Sequence, residues 1–143
     1  MKVAIAQISS ILGRVDKNLD RHLELIEKAA REKADLVIFP ELSLTGYSLQ
    51  DLVPEVAIRP DCSEVMSRLL VASRNIDVVV GLVEERKENP GIFYNSAAYL
   101  SRGEIAHLHR KVFLPTSGLF EEGRFFASGR EFRAFPAGSN RVG

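Results

Sequence analysis

The chain has 143 residues, of which 45% are hydrophobic and 27% charged, enough for one compact domain with a core and too few for two. Basic and acidic residues balance at 19 each, so the zero net charge gives no basic excess for a nucleic-acid partner. The single cysteine excludes an internal disulfide, and no apolar run reaches signal-peptide or transmembrane length. We therefore expect a cytoplasmic protein with no membrane partner.

The first forty residues predict a βαβ unit. Residues 2–8 are mostly apolar and β-branched, which predicts a strand buried on both faces. Residues 16–34 predict a helix with Asp16 as its N-cap. Residues 36–39 predict a second buried strand, which Pro40 ends because proline cannot donate to a ladder. The apolar face of the predicted helix consists of residues spaced three or four apart, namely Leu19, Leu23, Ile26 and Ala30.

The rest of the chain predicts one more helix and more strands. Apolar spacing favours a helix at residues 61–75, with Asp61 or Ser63 as its cap. The elements predicted after it are a strand at 77–83, a charged turn at 84–91 closed by Pro90 and Gly91, a strand at 93–100, a tight turn at 101–103, its hairpin partner at 104–110, a loop at 112–129 and a short strand at 132–135. This order predicts an α/β fold with a mixed sheet.

Glu41, in the segment FPELSLTGY, is the first residue that can carry chemistry. It directly follows a predicted buried strand and a proline, which places it at the carboxyl edge of the sheet. Open α/β sheets bind their ligands at that edge, and a carboxylate there can act as a general base. The alternative is an acid that stabilises the N-terminus of a following helical turn through the dipole.

Lys111 and Glu122 are two further candidates. Lys111 ends the predicted hairpin, where its ammonium can stabilise a developing oxyanion, although most lysines are simply solvated. Glu122 follows Glu121 in a loop rich in phenylalanine. Adjacent acids are mostly solvated, but phenylalanines are costly to leave in water and would anchor this loop with one of the two acids held inward.

Cys62, His107 and His109 favour no catalytic or metal site. Cys62 lies near the start of a predicted helix, where the dipole favours a thiolate, but no histidine is close to it in sequence. His107 and His109 alternate along one strand and share a face, yet a zinc site needs further ligands. Neither glycine-rich phosphate motif occurs, so we expect no metal and no cofactor.

Several segments together resemble the nitrilase superfamily of carbon–nitrogen hydrolases. They are KVAIAQI with NLDRHLELIEKAAREKADLVIFPELSLTGY, NSAAYLSRGEIAHLHRK, and HRKVFLPTSGLFEEGRFFASG. The resemblance covers essentially the whole chain and implies an α-β-β-α sandwich, with residues 1–143 as the N-terminal portion of a single domain. Within the family, GYSLQDLV and PTSGLFEEGRFF are similar to the glutaminase domains of glutamine-dependent NAD synthetases and to aliphatic amidases.

The resemblance also implies a Glu–Lys–Cys site. Glu41 matches the general base, Lys111 the oxyanion-stabilising lysine, and Glu122 a second glutamate that accompanies them. In such a site a thiolate attacks the carbon of a small amide or nitrile and forms a covalent intermediate. No cysteine follows Lys111, and Cys62 does not match the family position. The terminal RVG resembles the first residues of the strand that carries the family's cysteine, so we expect this chain alone to be inactive.

Two consequences follow for geometry and assembly. We expect Glu41 and Lys111 to lie in contact at one edge of the sheet, both largely buried. Because half of a sandwich exposes the inner face of its sheet, we also expect a homo-oligomer or a complementary C-terminal chain. The alternative hypothesis is a non-catalytic binding or assembly module that keeps the fold.

Overall fold

The computed structural model describes residues 1–117, 120–137 and 140–142. A mixed five-stranded sheet forms its centre, and the strands lie side by side in chain order. They are β1 (Val3–Ile5), β2 (Leu36–Ile38), β3 (Asp77–Arg86), β4 (Asn89–Ser101) and β5 (Glu104–Arg110). The first three strands are parallel, and β4 is antiparallel to both β3 and β5. The predicted mixed sheet is therefore confirmed, and β1, β2, β3 and β5 all run in the same direction.

Two helices, α1 (Val15–Arg31) and α3 (Glu64–Ala72), cover one face of this sheet, called here the helix face. Every second residue of β3 and β4 points toward the helices, as the pleat requires. The core between them includes Leu19, Ile26, Leu69, Val78, Val80, Leu82, Ala98 and Leu100. The other side of the sheet is called the open face.

The predicted apolar stripe of α1 is partly wrong. Leu19 and Ile26 are buried, but Ala30 is exposed and its neighbour Ala29 is buried instead. His22 is also fully buried, on the same side as Leu19 and Ile26. The buried positions 19, 22, 26 and 29 alternate spacings of three and four, as a 3.6-residue period requires, so Ala29 and not Ala30 continues the stripe.

The helix caps differ from one another. The residue before α1 is Arg14, and Asp16 lies inside the first turn, so the predicted Asp16 N-cap is wrong. Asp16 instead accepts hydrogen bonds from Arg14 at 2.8 and 3.0 Å. Its negative charge in the first turn also interacts favourably with the helix dipole. For α3 the hydroxyl of Ser63 accepts from the backbone N–H of Met66 at 3.2 Å, which selects Ser63 over Asp61.

The first strand is not buried on both faces. β1 has three residues instead of seven, and its Ile5 side chain is 82% exposed. β1 pairs only with β2 and is therefore an edge strand. No described element packs against the side of β1 that belongs to the open face, which explains why its apolar side chains are exposed there.

The two hairpins lengthen the sheet beyond the prediction. The predicted turn at 84–91 is mostly strand, since β3 extends to Arg86, β4 begins at Asn89, and only the two residues between them turn. Charged residues continue a strand here because alternate positions find partners on opposite faces. The second hairpin is confirmed, with β5 at the predicted residues 104–110.

Shorter elements complete the description. They are a 3-10 turn (Gln50–Leu52), α2 (Val53–Val56), α4 (Glu122–Phe125), β6 (Phe135–Ala137) and β7 (Asn140–Val142). The predicted loop at 112–129 therefore contains a helix, and its residues 118 and 119 lie outside the described part. The strand predicted at 132–135 begins at Phe135 and pairs with β7, while Gly143 of the RVG segment lies outside the described residues. No helix in the described ranges is long and apolar enough to span a membrane.

Candidate active site

The sheet topology brings Glu41 and Lys111 together. Glu41 follows β2 and Lys111 follows β5, and since these strands run in the same direction, both residues lie at one edge of the sheet. Lys111 Nζ donates to Glu41 Oε1 at 2.8 Å, so the expected contact between the two residues is present. The expectation that both are largely buried is wrong, because 45% of the Glu41 side chain and 30% of the Lys111 side chain are exposed. They border the open face, of which the described strand β6 covers only the part around Tyr99.

Glu122 joins the pair from the short helix α4. Its carboxylate oxygens lie 3.0 and 3.1 Å from Lys111 Nζ, and its side chain is only 7% exposed. The adjacent Glu121 is 64% exposed and pairs with Arg124 at 3.6 Å. Of the two acids, Glu122 is therefore the one held inward, anchored by the buried Phe126 that ends the same turn.

Asn95 and Tyr47 complete the site, and neither was singled out from the sequence. The side-chain amide of Asn95 donates to Glu41 Oε1 at 2.6 Å. The backbone carbonyl of Asn95 accepts a hydrogen bond from the backbone N–H of Lys111 at 2.8 Å. Tyr47 donates its hydroxyl to Glu122 Oε1 at 2.6 Å. The signal for Asn95 was available, since a polar pair interrupts the apolar strand FYNSAAYL. Tyr47 lies in a turn and carried no such signal.

A tight turn holds Glu41 against the sheet. The turn passes so close to β3 that a Cβ on Gly81 would lie 2.3 Å from the backbone nitrogen of Leu42. The backbone N–H of Leu44 donates to the Gly81 carbonyl at 3.1 Å. Leu42 adopts a left-handed φ of 49°, which a residue with a side chain disfavours. Only glycine fits at position 81, because any side chain there would push the turn that carries Glu41 away from β3.

The charges of the site do not balance, since one ammonium faces two carboxylates. Burial lowers the pKa of Lys111, but hydrogen bonds to Glu41 and Glu122 outweigh it, so the pKa is raised overall and the side chain stays charged. Burial, together with the bond to Glu122, raises the pKa of Tyr47 to about 12, which keeps its hydroxyl a neutral donor. Glu122 Oε2 is buried and, despite its 3.0 Å approach to Lys111, makes no hydrogen bond of good geometry.

A hollow of about 410 Å³ opens beside these charges on the open face of the sheet. Its lining combines the polar groups of Glu41, Asn95 and Lys111 with the apolar surfaces of Phe39 and Phe113, of which Phe113 is 80% exposed. A small polar molecule placed there would meet a carboxylate, an amide and an ammonium on one side and aromatic rings on the other.

Of the other candidates, Cys62 lies apart from this group, whereas His109 lines the hollow. Cys62 is exposed in the turn before α3 and lines none of the hollow. His107 stacks on Phe135 with ring centroids 4.3 Å apart, and His109 lies 6.4 Å from His107. Within the described residues, no three His, Cys, Asp or Glu side chains group as metal ligands would.

Known proteins provide an independent comparison. The sequence model described as Carbon-nitrogen hydrolase matches residues 2–142. The glutamine-dependent NAD(+) synthetase of Acinetobacter baylyi is 36% identical over 94% of this chain and 24% of its own length. A nitrilase of Pyrococcus abyssi is 30% identical over 100% of this chain and 54% of its own length. The structure of the glutamine-dependent NAD+ synthetase from Acinetobacter baumannii superposes with a TM-score of 0.81 at 32% identity, over 97% of this chain and 26% of that one.

This chain therefore spans about a quarter of the length of the two synthetases and about half that of the nitrilase. The mixed sheet with its helix layer matches the α/β fold of the nitrilase superfamily. A sequence model that accounts for residues 2–142, agreeing with this fold, places the chain in the carbon–nitrogen hydrolase family.

Proposed function

We propose that this chain supplies the general base and the oxyanion-stabilising lysine of a hydrolase that acts on a small amide or nitrile. The observation that supports this most directly is Lys111 Nζ lying 2.8 Å from Glu41 and 3.0 Å from Glu122 beside an open hollow. The nucleophile would come from outside these residues, since no cysteine follows Lys111 and Cys62 lies elsewhere.

Glu41 is the proposed general base. Its Oε1 accepts from both Lys111 and Asn95, and these two bonds fix the plane of the carboxylate. Among the described residues, Oε2 has no hydrogen-bond partner, so this oxygen is free to accept a proton. It would take the proton of the attacking thiol, pass it to the departing amine, and then activate the water that cleaves the thioester.

Lys111 is the proposed oxyanion stabiliser. Its ammonium has three donors, of which Glu41 and Glu122 occupy two, and the third remains for the reacting oxygen. When sulfur bonds to the amide carbon, the carbonyl π electrons move to oxygen, and a fixed positive charge lowers the energy of that state. The C–N bond then breaks as the nitrogen receives the proton from Glu41. Glu122, buried and held by Tyr47, would keep the ammonium in place.

A chimera tests these roles. This chain would replace the matching segment of the Acinetobacter baylyi synthetase, and because that enzyme is glutamine-dependent, glutamine is the first amide to test. We expect ammonia release from glutamine, and a loss of about 10²–10⁴-fold in kcat/KM with Glu41→Gln or Lys111→Met. Retention of activity within about threefold in both variants would refute the assigned roles.

Matched controls separate these roles from general damage. Glu121→Gln changes the neighbouring exposed acid, and Lys87→Met changes an exposed lysine of the first hairpin. Both should keep the activity of the chimera. The 143-residue chain alone should release no ammonia from glutamine, asparagine or aliphatic amides. Turnover by this chain that Cys62→Ser abolishes would instead identify Cys62 as the nucleophile.

The open face also supports a proposal about assembly. Phe113 and Phe132 are 80% and 72% exposed there, beside the proposed site. Exposed aromatic surface of this kind favours association. We expect a complementary chain or a second copy to cover it, and light scattering showing a stable monomer at high concentration would contradict this.

A further inference from the structure

We propose that His22 is a positioning residue that fixes the turn carrying Glu41 through the hydroxyl of Ser43. The proposal rests on the function proposed above only in giving Glu41 a catalytic task. His22 projects from α1 and is fully buried, with its ring stacked on Phe39 at a centroid distance of 4.1 Å. Ser43 lies two residues after Glu41 in the turn that leaves β2. The imidazole therefore connects the helix layer to the segment that carries the proposed base.

The contacts of the ring select one tautomer. His22 Nδ1 lies 2.6 Å from the backbone carbonyl of Asn18, which can only accept, so Nδ1 carries a hydrogen. His22 Nε2 lies 2.9 Å from Ser43 Oγ. In the neutral ring Nε2 is an acceptor, so the Ser43 hydroxyl donates to it.

The backbone of β3 continues this chain of hydrogen bonds. The Gly81 N–H donates to Ser43 Oγ at 3.3 Å, while the Gly81 carbonyl lies 3.5 Å from the same oxygen. The shorter contact makes His22 the better acceptor for the Ser43 hydrogen. A hydrogen on Nε2 would leave Ser43 Oγ facing two donors and only the distant carbonyl as its own acceptor. The bonds therefore run in one direction, from Gly81 through Ser43 and His22 to Asn18.

This network acts on a turn that needs support. Leu42 has the disfavoured φ of 49°, so the conformation next to Glu41 depends on outside contacts. Asn18 provides a second anchor, because its side-chain amide donates to the Leu44 carbonyl at 3.0 Å. Asn18 and His22 stand four residues apart on one side of α1 and bind the turn at successive positions. The helix thereby fixes where the Glu41 carboxylate meets Lys111.

A histidine that only fills space would behave differently. Its ring would still pack on Phe39, but neither the tautomer nor the link to Ser43 would affect the site. His22→Phe keeps an aromatic ring against Phe39 and removes both hydrogen bonds. His22→Gln places an amide oxygen near the position of Nε2 and can accept from Ser43. The comparison of these two variants separates packing from positioning.

The first test needs no substitution. Long-range ¹H–¹⁵N NMR on the 143-residue chain at pH 7 reports the protonation of both ring nitrogens of His22. We expect the neutral ring with hydrogen on Nδ1. A hydrogen on Nε2, in either the neutral or the charged ring, would overturn the proposal.

The second test follows the turn itself. Exchange of the Gly81 amide hydrogen should be about tenfold faster in His22→Phe, the change expected for one lost buried hydrogen bond, and close to the original rate in His22→Gln. The nuclear Overhauser effect between the side chains of Glu41 and Lys111 should weaken in His22→Phe and persist in His22→Gln. Unchanged exchange and contact in His22→Phe would show that the ring only packs.

Ser43→Ala removes the same hydrogen bond between Ser43 and His22 but leaves the sequence of α1 unchanged. It therefore replaces His22→Phe in this test if that variant does not fold. Its matched control is Ser73→Ala, another buried serine, whose hydroxyl donates to the Leu70 carbonyl at 3.0 Å, outside the site. Faster Gly81 exchange in Ser43→Ala alone supports the proposal, and equal rates in both variants overturn it. These measurements do not use catalysis, so an inactive chimera would refute the proposed function and leave the role of His22 to be decided here.

Discussion

Two clusters of acids and bases lie on opposite faces of the same end of the sheet. Arg110 and Lys111 are neighbours in sequence, but strand alternation turns them to opposite sides. Arg110 pairs with Glu84 at 2.5 Å on the helix face, and Lys111 pairs with Glu41 at 2.8 Å on the open face. The two clusters differ in whether their hydrogen bonds are complete, and this difference separates a structural ion pair from a candidate active site.

The cluster on the helix face is saturated. The Glu84 side chain is 2% exposed, and Arg110 donates to both of its oxygens, at 2.5 and 2.8 Å. Ser96 adds a third bond at 2.7 Å, and the guanidinium lies 4.9 Å from the ring centroid of Tyr94. A planar guanidinium matches a carboxylate in this way, and both Glu84 oxygens accept hydrogen bonds from it.

The cluster on the open face is incomplete. One ammonium serves two carboxylates, Glu41 is 45% exposed, and Glu122 Oε2 is buried without a well-formed hydrogen bond. Buried polar groups are normally satisfied, and the exception here, Glu122 Oε2, lies 3.0 Å from the ammonium of Lys111, which lines the hollow. Lysine suits this task because its ammonium can turn one of its three donors to a new partner.

Arg110→Met should give the largest loss of stability. It leaves the Glu84 carboxylate buried with only Ser96, and removing one partner of a buried pair costs about 3–5 kcal/mol of the free energy of unfolding. Urea denaturation followed by circular dichroism measures this loss. The control Arg86→Met removes an exposed pair with Glu88 at 3.3 Å and should cost less than about 1 kcal/mol. Similar losses in the two variants would contradict the distinction between the clusters.

Acidification should weaken the fold through His22. Burial lowers the pKa of His22 to about 4 from its ordinary 6.5, despite the hydrogen bond to Asn18. The unfolded chain therefore takes up the proton first, so the contribution is fully present above pH 6.5 and is lost as the pH falls toward 4. A shift of this size corresponds to about 3 kcal/mol. Denaturation at several pH values should show this loss relative to His22→Gln, and parallel curves for the two proteins would contradict it.

The sequence predicted the order of the elements from local pattern, and its resemblance to the nitrilase superfamily predicted that Glu41 meets Lys111. Local pattern did not predict that Glu84 and Glu85 lie on opposite faces of the sheet, as Arg110 and Lys111 also do, since the face of each neighbour depends on register. A one-residue shift in pairing would exchange their faces. The hydrophobic pattern also did not predict that Ile5 is exposed, because an apolar run does not show whether another layer packs on the strand.

Lys111→Met should cost less stability than Arg110→Met, although its effect on catalysis should be large. The Lys111 side chain is 30% exposed, its partners remain partly solvated or bound to Tyr47, and we expect a loss of about 1–2 kcal/mol. The same urea titration measures it. A loss equal to that of Arg110→Met would mean that the cluster on the open face is as structural as the one on the helix face.

Tyr47→Phe should give the smallest effect in the set. The change keeps the ring and removes only the hydroxyl that donates to Glu122 at 2.6 Å, so we expect a loss of about 1 kcal/mol. Tyr94→Phe is the matched change in the other cluster, where the ring face meets Arg110 and, among the described residues, the hydroxyl has no hydrogen-bond partner. Phenylalanine keeps that face, so the variant should stay within about 0.5 kcal/mol of the original chain.

The two tyrosine variants compare a hydroxyl with a ring face under the same denaturation conditions. A larger loss in Tyr47→Phe would show that directed hydrogen bonds maintain the open-face cluster, in which Glu122 needs a donor besides Lys111. Equal losses would mean that the bond from Tyr47 contributes nothing to holding Glu122. The buried position of Glu122 would then depend on the packing of α4 alone, and the ammonium of Lys111 would be held chiefly by Glu41.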